Sequence, residues 1–339
     1  MKRERRDRGA VAVWVAILLV PLLAMAALAI DVSAANADRQ RLQHGADAAA
    51  LAVAQHCAVR ACTGTAAVAA SLATANNPMG GAARIEDLDV DPARGWVEVE
   101  TASDRDFWFA PIIGIDDAEL TARSAASWNQ YPVRGSHLPL AISWCEIAHW
   151  ARLGASDVLR DATGNVVGLN IPAAATNVVL FSKGNNSDFH NCPVGTNPKG
   201  PNGTAPPGGF GWLTTSSPCT ATTGAGGWFD SRPGRTPTCS DAELRAMIGQ
   251  TVLVPIFDET RDSGANAQYR VFGYISFTLT GYKNNKGSAG TGTSSCHNND
   301  DCIAGTVQRY VDLDSGFETS PTGPRLGSTS VELRIPTGG

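Results

Sequence analysis

The sequence predicts an α+β chain. A single N-terminal helix of membrane-spanning length continues into a small helix-on-sheet module, and a mostly β, disulfide-stapled region follows. Three observations predict this. Ala10–Ile30 holds 21 residues and no charge. At about 1.5 Å per residue a helix of that length crosses the hydrocarbon core of a bilayer. From Asp31 to Cys57 helical spacing persists while the composition turns Ala-rich and polar. Finally, 35 Gly and 19 Pro among 339 residues, with only 17% charged residues, favour loops and strands over a helical bundle. A chain of this length can form two domains with real cores. Its net charge of −5 offers no nucleic-acid surface.

Residues 1–9 form a basic tail in which Lys2, Arg3, Arg5, Arg6 and Arg8 outweigh Glu4 and Asp7. The flank beyond Ile30 is nearly balanced, so the positive-inside rule leaves the tail in the cytoplasm and exports the rest. The anchor over 10–30 includes Ala10, Trp14, Leu18, Pro21, Leu22 and Ile30, with Pro21 expected to kink the helix without ending it. Ala24-Met25-Ala26 and Ala27-Leu28-Ala29 resemble signal-peptidase sites. The apolar run, however, exceeds the roughly 7–15 residues of a signal-peptide core, and helical sequence continues through both sites, so retention is expected.

After Ile30 the positions Val32, Ala35, Arg39, Leu42, Ala46, Ala49, Val53 and Cys57 trace one helix face with Arg39 as its only charge. Most of that face is alanine. It suits packing on the module's own sheet, or lateral packing against other small-faced helices. Thr65–Asn76 reads as a second short helix closed by Asn77-Pro78 and Gly80-Gly81, and Cys57 and Cys62 bracket the turn before it. Strands are expected at Ile85–Val90 and Trp96–Thr101 around the turn Asp91-Pro92-Ala93-Arg94-Gly95, and at Ala118–Trp128. Alternation in the second strand separates Trp96 from Val97 and Val99 without showing which face is buried. Phe107, Trp108 and Phe109 are expected to cap this small core, and the module spans 31–131.

Tyr131-Pro132 and Gly135 mark a change of composition, and 132–339 reads as a Cys-rich, mostly β domain. It opens with the strand-like LPLAISW. Further strands are expected near Val166–Ile171, Val178–Ser182, Thr251–Phe257, Arg270–Tyr282, Gly305–Leu313 and Thr329–Ile335. Short helices are expected at Cys145–Arg152 and Ser240–Gly249, the latter opened by a Ser240/Glu243 capping box. Gly273 marks a bulge and Asn284–Gly287 a turn. Lys183–Thr238 is dense in Gly, Pro, Ser, Thr and Asn and should be stapled or partly disordered.

All eight cysteines, Cys57, Cys62, Cys145, Cys192, Cys219, Cys239, Cys296 and Cys302, follow the apolar run, so in an exported chain disulfides are the default. Cys57 and Cys62 can close a small loop. Cys145, Cys192, Cys219 and Cys239 allow three pairings; Cys145–Cys192 and Cys219–Cys239 are preferred, with Cys296–Cys302 closing a local loop.

The basic start, the run AVAVWVAILLVPLLAMAALAIDVS and the later RQRLQHGADAAALAVA resemble the N-terminal module of Flp pilus-assembly (tight-adherence) TadE/TadG-like proteins. Leu42, Gln43, Ala46, Asp47, Ala48, Ala49, Ala50 and Leu51 carry the helical signature of that resemblance. VEVETASDRDFWFAPIIGIDDAELTARSAASW extends it over roughly residues 8–128, and VLVPIFDETRDSGANAQYRVFGYISFTLTGY is similar to a segment of larger members. The resemblance implies a pilin-like helix-on-sheet module. It also implies a single-pass protein of the cytoplasmic membrane, with its C-terminal domain extracytoplasmic, serving a pilus or secretion apparatus. Pseudopilins of this system are cut after a Gly followed five residues later by Glu. Here Gly9 is followed at that distance by Trp14, which points away from a processed, polymerising subunit and toward an anchored accessory. Asp31-Val32-Ser33-Ala34-Ala35 starts like the D-x-S-x-S metal site of some larger relatives, but Ala35 replaces the second Ser.

No catalytic pattern emerges. The sequence contains no G-x-S-x-G, H-E-x-x-H or P-loop. Cys145, Glu146 and His149 fall on one helical turn, but a disulfide cysteine beside polar residues explains them. There is no C-x-x-C, and His190 and His297 neighbour lone cysteines, so neither zinc nor another cofactor is expected. The expected partners are the membrane, pilus-assembly or secretion proteins and related envelope helices, not nucleic acid. An anchored adhesion or ligand-binding module independent of any pilus is the alternative, and an enzyme with an unfamiliar site is a third reading.

Overall fold

A computed structural model of the chain describes residues 7–59, 62–76, 83–172, 174–181, 209–215, 219–232, 239–262, 267–294, 296, 301–312 and 316–336. It is α+β, with a long N-terminal apolar helix and a mostly β remainder that carries disulfides. Two compact units make up the chain. The first comprises Met1–Cys57, Ala61–Ser127 and Glu332–Gly339, and the second Ala58–Arg60 and Trp128–Val331.

In the first unit, helix α1 runs unbroken from Asp7 to Val59 with Pro21 inside it. Among the described residues it supplies the one stretch long and apolar enough to cross a membrane, with a mean hydropathy of 2.7 and no buried share. Trp14, Leu18, Leu22 and Ile30 are all exposed there. Beyond Asp38 the helix acquires a core face of Leu42, Ala46, Ala49, Ala50, Val53 and Ala54. Helix α2 (Thr65–Ala75) follows the Cys57–Cys62 disulfide and buries Ala69 and Ala73. Gly45 permits the approach of the two helices, because a Cβ there would stand 3.2 Å from the Ala73 carbonyl oxygen.

Strands β1 (Arg84–Asp91), β2 (Trp96–Asp106) and β3 (Asp117–His137) form an antiparallel meander. The Asp91 carboxylate accepts the amides of Ala93 and Arg94, and Gly95 takes φ 66° to close the turn. Val97, Val99, Thr101 and Ser103 face inward, which settles the face that alternation left open. Leu42 and Ala46 of α1 pack on Ala122 of β3.

Strand β3 does not stop at the composition break but continues through Tyr131-Pro132 and Gly135. The part from Trp128 onward, in the second unit, pairs with strands described below. Proline lacks a ladder donor, and the pairing opposite Pro132 is irregular there. Gly135 has room only for hydrogen, since a Cβ would lie 2.4 Å from the Phe317 ring.

The second unit contains β4 (Leu140–Ser143), α3 (Trp144–Trp150), β5 (Val158–Arg160), β6 (Val166–Leu169) and β7 (Thr176–Phe181). Next come β8 (Phe210–Trp212), β9 (Ala221–Gly224), β10 (Trp228–Asp230), α4 (Asp241–Ala246), β11 (Thr251–Arg261) and β12 (Gln268–Asn284). Last are β13 (Gly287–Gly290), β14 (Cys302–Gln308), β15 (Tyr310–Asp312), β16 (Phe317–Ser320) and the first part of β17 (Ser328–Arg334), whose residues from Glu332 onward belong to the first unit. The main sheet has the order β7-β14-β12-β11-β4-β8, with β10 and β13 also on β12. Only its β11–β4 pair is parallel among the described residues. β9 and β16 pair with the later half of β3. A core of Trp144, Phe277, Tyr282, Ile142, Ile256 and Leu180, among others, fills this unit.

Strands β8, β9 and β10 lie where the sequence suggested only stapled or disordered chain. They are three or four residues long, too short to display a period of two. Residues 183–208, 216–218 and 233–238 of that stretch, with Cys192, lie outside the described residues, and the expected Cys145–Cys192 pairing falls there. Cys219 is bonded to Cys239 and Cys296 to Cys302. The bulge expected at Gly273 is present: Ile256 pairs with Gly273, but Phe257 pairs with Val271.

Candidate functional site

The feature that ties the apolar helix to the folded module is a ladder of contacts between α1 and β2. Thr101 Oγ1 donates to the Leu42 carbonyl at 3.4 Å. One turn toward the N-terminus, Arg105 pairs with Asp38, which also receives Arg41 Nη1 at 2.8 Å. Two turns further, the Asp31 carboxylate accepts the backbone amides of Trp108 at 3.0 Å and of Phe109 and Ala110 at 2.8 Å each. As the chain advances from 101 on β2 to 108 just past its end, its partners on α1 therefore descend from 42 to 31. The strand brings the β2–β3 connection to the first residue beyond the uncharged run.

Asp31 is 2% exposed. Burial pushes its carboxyl pKa up, but the three amide donors and the nearby Arg105 outweigh that and hold it below the usual carboxylate value. The group stays a carboxylate that fixes three consecutive backbone donors, a clasp rather than a proton-transfer site. The connection beyond it makes a short 3-10 turn over Ala110–Ile113, ended by Gly114 at φ 85°.

Two expectations change here. Val32 and Arg39, assigned to the packed face, are exposed, whereas Asp31 and Asp38 are buried. The inward face is rotated, and its two carboxylates are tolerated because Arg105 and the three amides satisfy them. Trp108 and Phe109 do not cap the core. Trp108 is 70% exposed, and Ile112, Ile113 and Ile115 beyond it are exposed as well. In the sequence Asp31 stands out only as the start of an incomplete D-x-S-x-S pattern, and Asp38 and Arg105 do not stand out, although Asp31, Asp38, Leu42, Gly45 and Ala49 recur at helical spacing.

The signature residues divide by face. Leu42, Ala46, Ala49 and Ala50 are buried, while Asp47, Ala48 and Leu51 are half-buried. Gln43 Nε2 donates to Asp47 Oδ1 and to the Arg123 carbonyl, both at 2.9 Å. Of the anchor positions, Pro21 lies within the helix, and Ala10 is helical with a side chain outside those described.

The second unit offers polar groups of a different kind. His137 and Thr220 line a cavity of about 340 Å³ with Met247, Thr251 and Phe317. Its Nδ1 donates to the Leu138 carbonyl at 2.6 Å, and its Nε2 accepts from Thr223 Oγ1, which in turn accepts from the Tyr274 hydroxyl. Burial depresses the His137 pKa to about 4, so the ring is a neutral link in a satisfied chain. Of the Cys145/Glu146/His149 group, Cys145 is disulfide-bonded. Glu146 accepts from Gly209 N at 2.7 Å and Trp150 Nε1 at 3.1 Å, with its pKa raised by burial. Among the described residues no group of three or more His, Cys, Asp or Glu is arranged to hold a metal ion.

An α+β chain led by one membrane-length helix, whose polar half is module core, defines the class. Residues 9–56 match the model of a family described as putative Flp pilus-assembly TadE/G-like. The match covers the apolar run and the signature helix, which bears out the resemblance of the N-terminal module. Residues 57–128 and 252–282 lie beyond it. Neither a curated protein nor a solved structure matches the chain.

Proposed function

We propose that this chain is a membrane-anchored, non-catalytic envelope component of a Flp-type pilus or related secretion apparatus, acting in pilus assembly or anchoring. The observation that carries the reading is the coincidence of the family match over residues 9–56 with α1, whose first half is exposed and apolar and whose second half is core. Such a helix transmits position mechanically: lipid holds one end and the clasp at Asp31 and Asp38 holds the other. The basic residues of the tail favour an N-terminus in the cytoplasm, and the disulfides suit an oxidising compartment beyond the membrane. On this reading the protein sits in the cytoplasmic membrane with the β-rich unit extracytoplasmic. The polymerising alternative is disfavoured by Trp14, which stands where pseudopilins carry Glu.

Protease added to spheroplasts should digest the β-rich unit and leave a small membrane-protected fragment. Release of intact protein into the medium would contradict the anchor. Cross-linking in cells that build the apparatus should recover pilus-platform proteins or pilin, and recovery of neither would sink the assignment.

A further inference from the structure

We propose that the apolar tip of the β2–β3 hairpin, Trp108–Ile115, is a second membrane contact. It docks on the headgroup–acyl boundary of the leaflet from which α1 emerges. The inference rests on the anchoring role of α1 argued above and adds to it a specific lipid-facing surface. Three observations converge on lipid as the occupant. The clasp fixes the tip beside Asp31, one residue past the 21-residue uncharged run, so the tip stands at the height where the helix leaves the hydrocarbon. Apart from the inward Ala110, its large apolar side chains have no cover: Ile112 is 85% exposed, and Trp108, Ile113 and Ile115 are exposed beside it.

The third observation is the sharp boundary of the patch. Asp104 and Asp106 precede the tip and Asp116 and Asp117 follow it, all exposed. Such a ring of carboxylates stops at water while the residues between them enter the interface. Trp108 suits that position, since an indole places an apolar ring and a polar N–H on either side of the headgroup level. Arg105 stands 5.7 Å from the Trp108 ring and pairs with Asp38, so the tip is held from behind by the same ladder. A hairpin tip in the interface gives the module a second point of support. The module can then neither swing freely about α1 nor lift away from the membrane.

The test uses the full chain in phosphatidylcholine nanodiscs, with single nitroxide labels at Ile112→Cys, Leu22→Cys and Ala93→Cys. Ala93 lies on the exposed turn at the opposite end of the hairpin, and the native cysteines among the described residues are all disulfide-bonded. Collision with oxygen reports lipid, and collision with a water-soluble nickel chelate reports solvent. The expected result is an oxygen-to-nickel ratio at position 112 well above that at 93 and approaching that at 22. A ratio at 112 equal to that at 93, with 22 still in lipid, would overturn the proposal and leave the anchor standing. Shielding of position 112 from both reagents would mean that protein covers the tip, which also overturns it. A nickel-accessible position 22 would instead refute the anchor reading and the tip contact with it.

Discussion

The two units bury different materials. The helix module is cored largely by alanine: Ala46, Ala49, Ala50, Ala54, Ala69, Ala73, Ala122, Ala125 and Ala126 are all buried. The β-rich unit buries Trp144, Phe257, Tyr274, Phe277 and Tyr282 almost completely. Small side chains let α1 lie close to α2 and the sheet, but each removes little apolar area from water. The module compensates with polar fixings, namely the Asp31 clasp, the Asp38–Arg105 pair and the Cys57–Cys62 bond. The β-rich unit instead packs large interlocking rings, and its buried polar groups, among them His137, Glu146 and the Asp258–Arg270 pair, together with its Cys219–Cys239 and Cys296–Cys302 bonds, add to that packing. Close approach and deep burial are thus alternative ways of holding a sheet, and this chain uses one in each unit.

That contrast can be broken most strongly at Trp144. Truncation to Ala should cost the β-rich unit about 3–5 kcal/mol, read by denaturant unfolding of the full chain in detergent. A loss below about 1 kcal/mol would mean that the aromatic core is not what holds that unit.

Acid should separate the units. The folded-state pKa of His137, about 4, lies below its ordinary 6.5. The unfolded chain therefore binds the extra proton between those values, and stability falls as the pH is lowered through that window. The contribution is complete above pH 6.5 and amounts to about 3 kcal/mol. Glu146 and Asp258, raised by burial, act in the opposite direction, so the comparison is with His137→Gln, whose stability should not fall through that window. Asp31, with its pKa lowered, contributes fully above the ordinary carboxylate value of 3.8 and loses that contribution only at lower pH. The clasp should therefore survive conditions that already protonate His137.

In the alanine-cored module the sensitive change is enlargement. Ala49→Leu should destabilise by about 1–3 kcal/mol, because the buried position has no room for the added carbons. Ala24→Leu, on the exposed apolar part of the same helix, should leave stability within about 0.5 kcal/mol. Equal effects would erase the distinction between the two halves of α1. The smallest effect is expected at the α4 cap, where Ser240 Oγ accepts from Glu243 N and Glu243 returns a contact to Ser240 N. Ser240→Ala should cost about 1 kcal/mol, measured by thermal unfolding.

Local chemistry made parts of the fold legible in advance. The α4 capping box, the turn at Asp91–Gly95, the bulge at Gly273 and the second helix each depend on a few neighbouring residues. The continuation of β3 through Pro132 was not legible, because it depends on β16 arriving about 185 residues later in the chain with an irregular pairing opposite the proline. The short strands β8–β10 likewise exist through their partners rather than through any pattern of their own.

The site divides in the same way. Absence of charge over 10–30 and the alanine-rich repeat after it determine a membrane-length helix that turns into core, since length and hydropathy are properties of the chain itself. Only the tertiary structure decided which side of that helix faces inward. A buried carboxylate is acceptable only where donors meet it, and apart from the local Arg41 on Asp38 those of Asp31 and Asp38 come from residues 105–110, about 70 positions away. The same contacts turned Trp108 from an expected core residue into an exposed one. With the backbone amides of 108–110 committed to Asp31, Ala110 turns inward while the side chains of Trp108 and Phe109 stay on the exposed side.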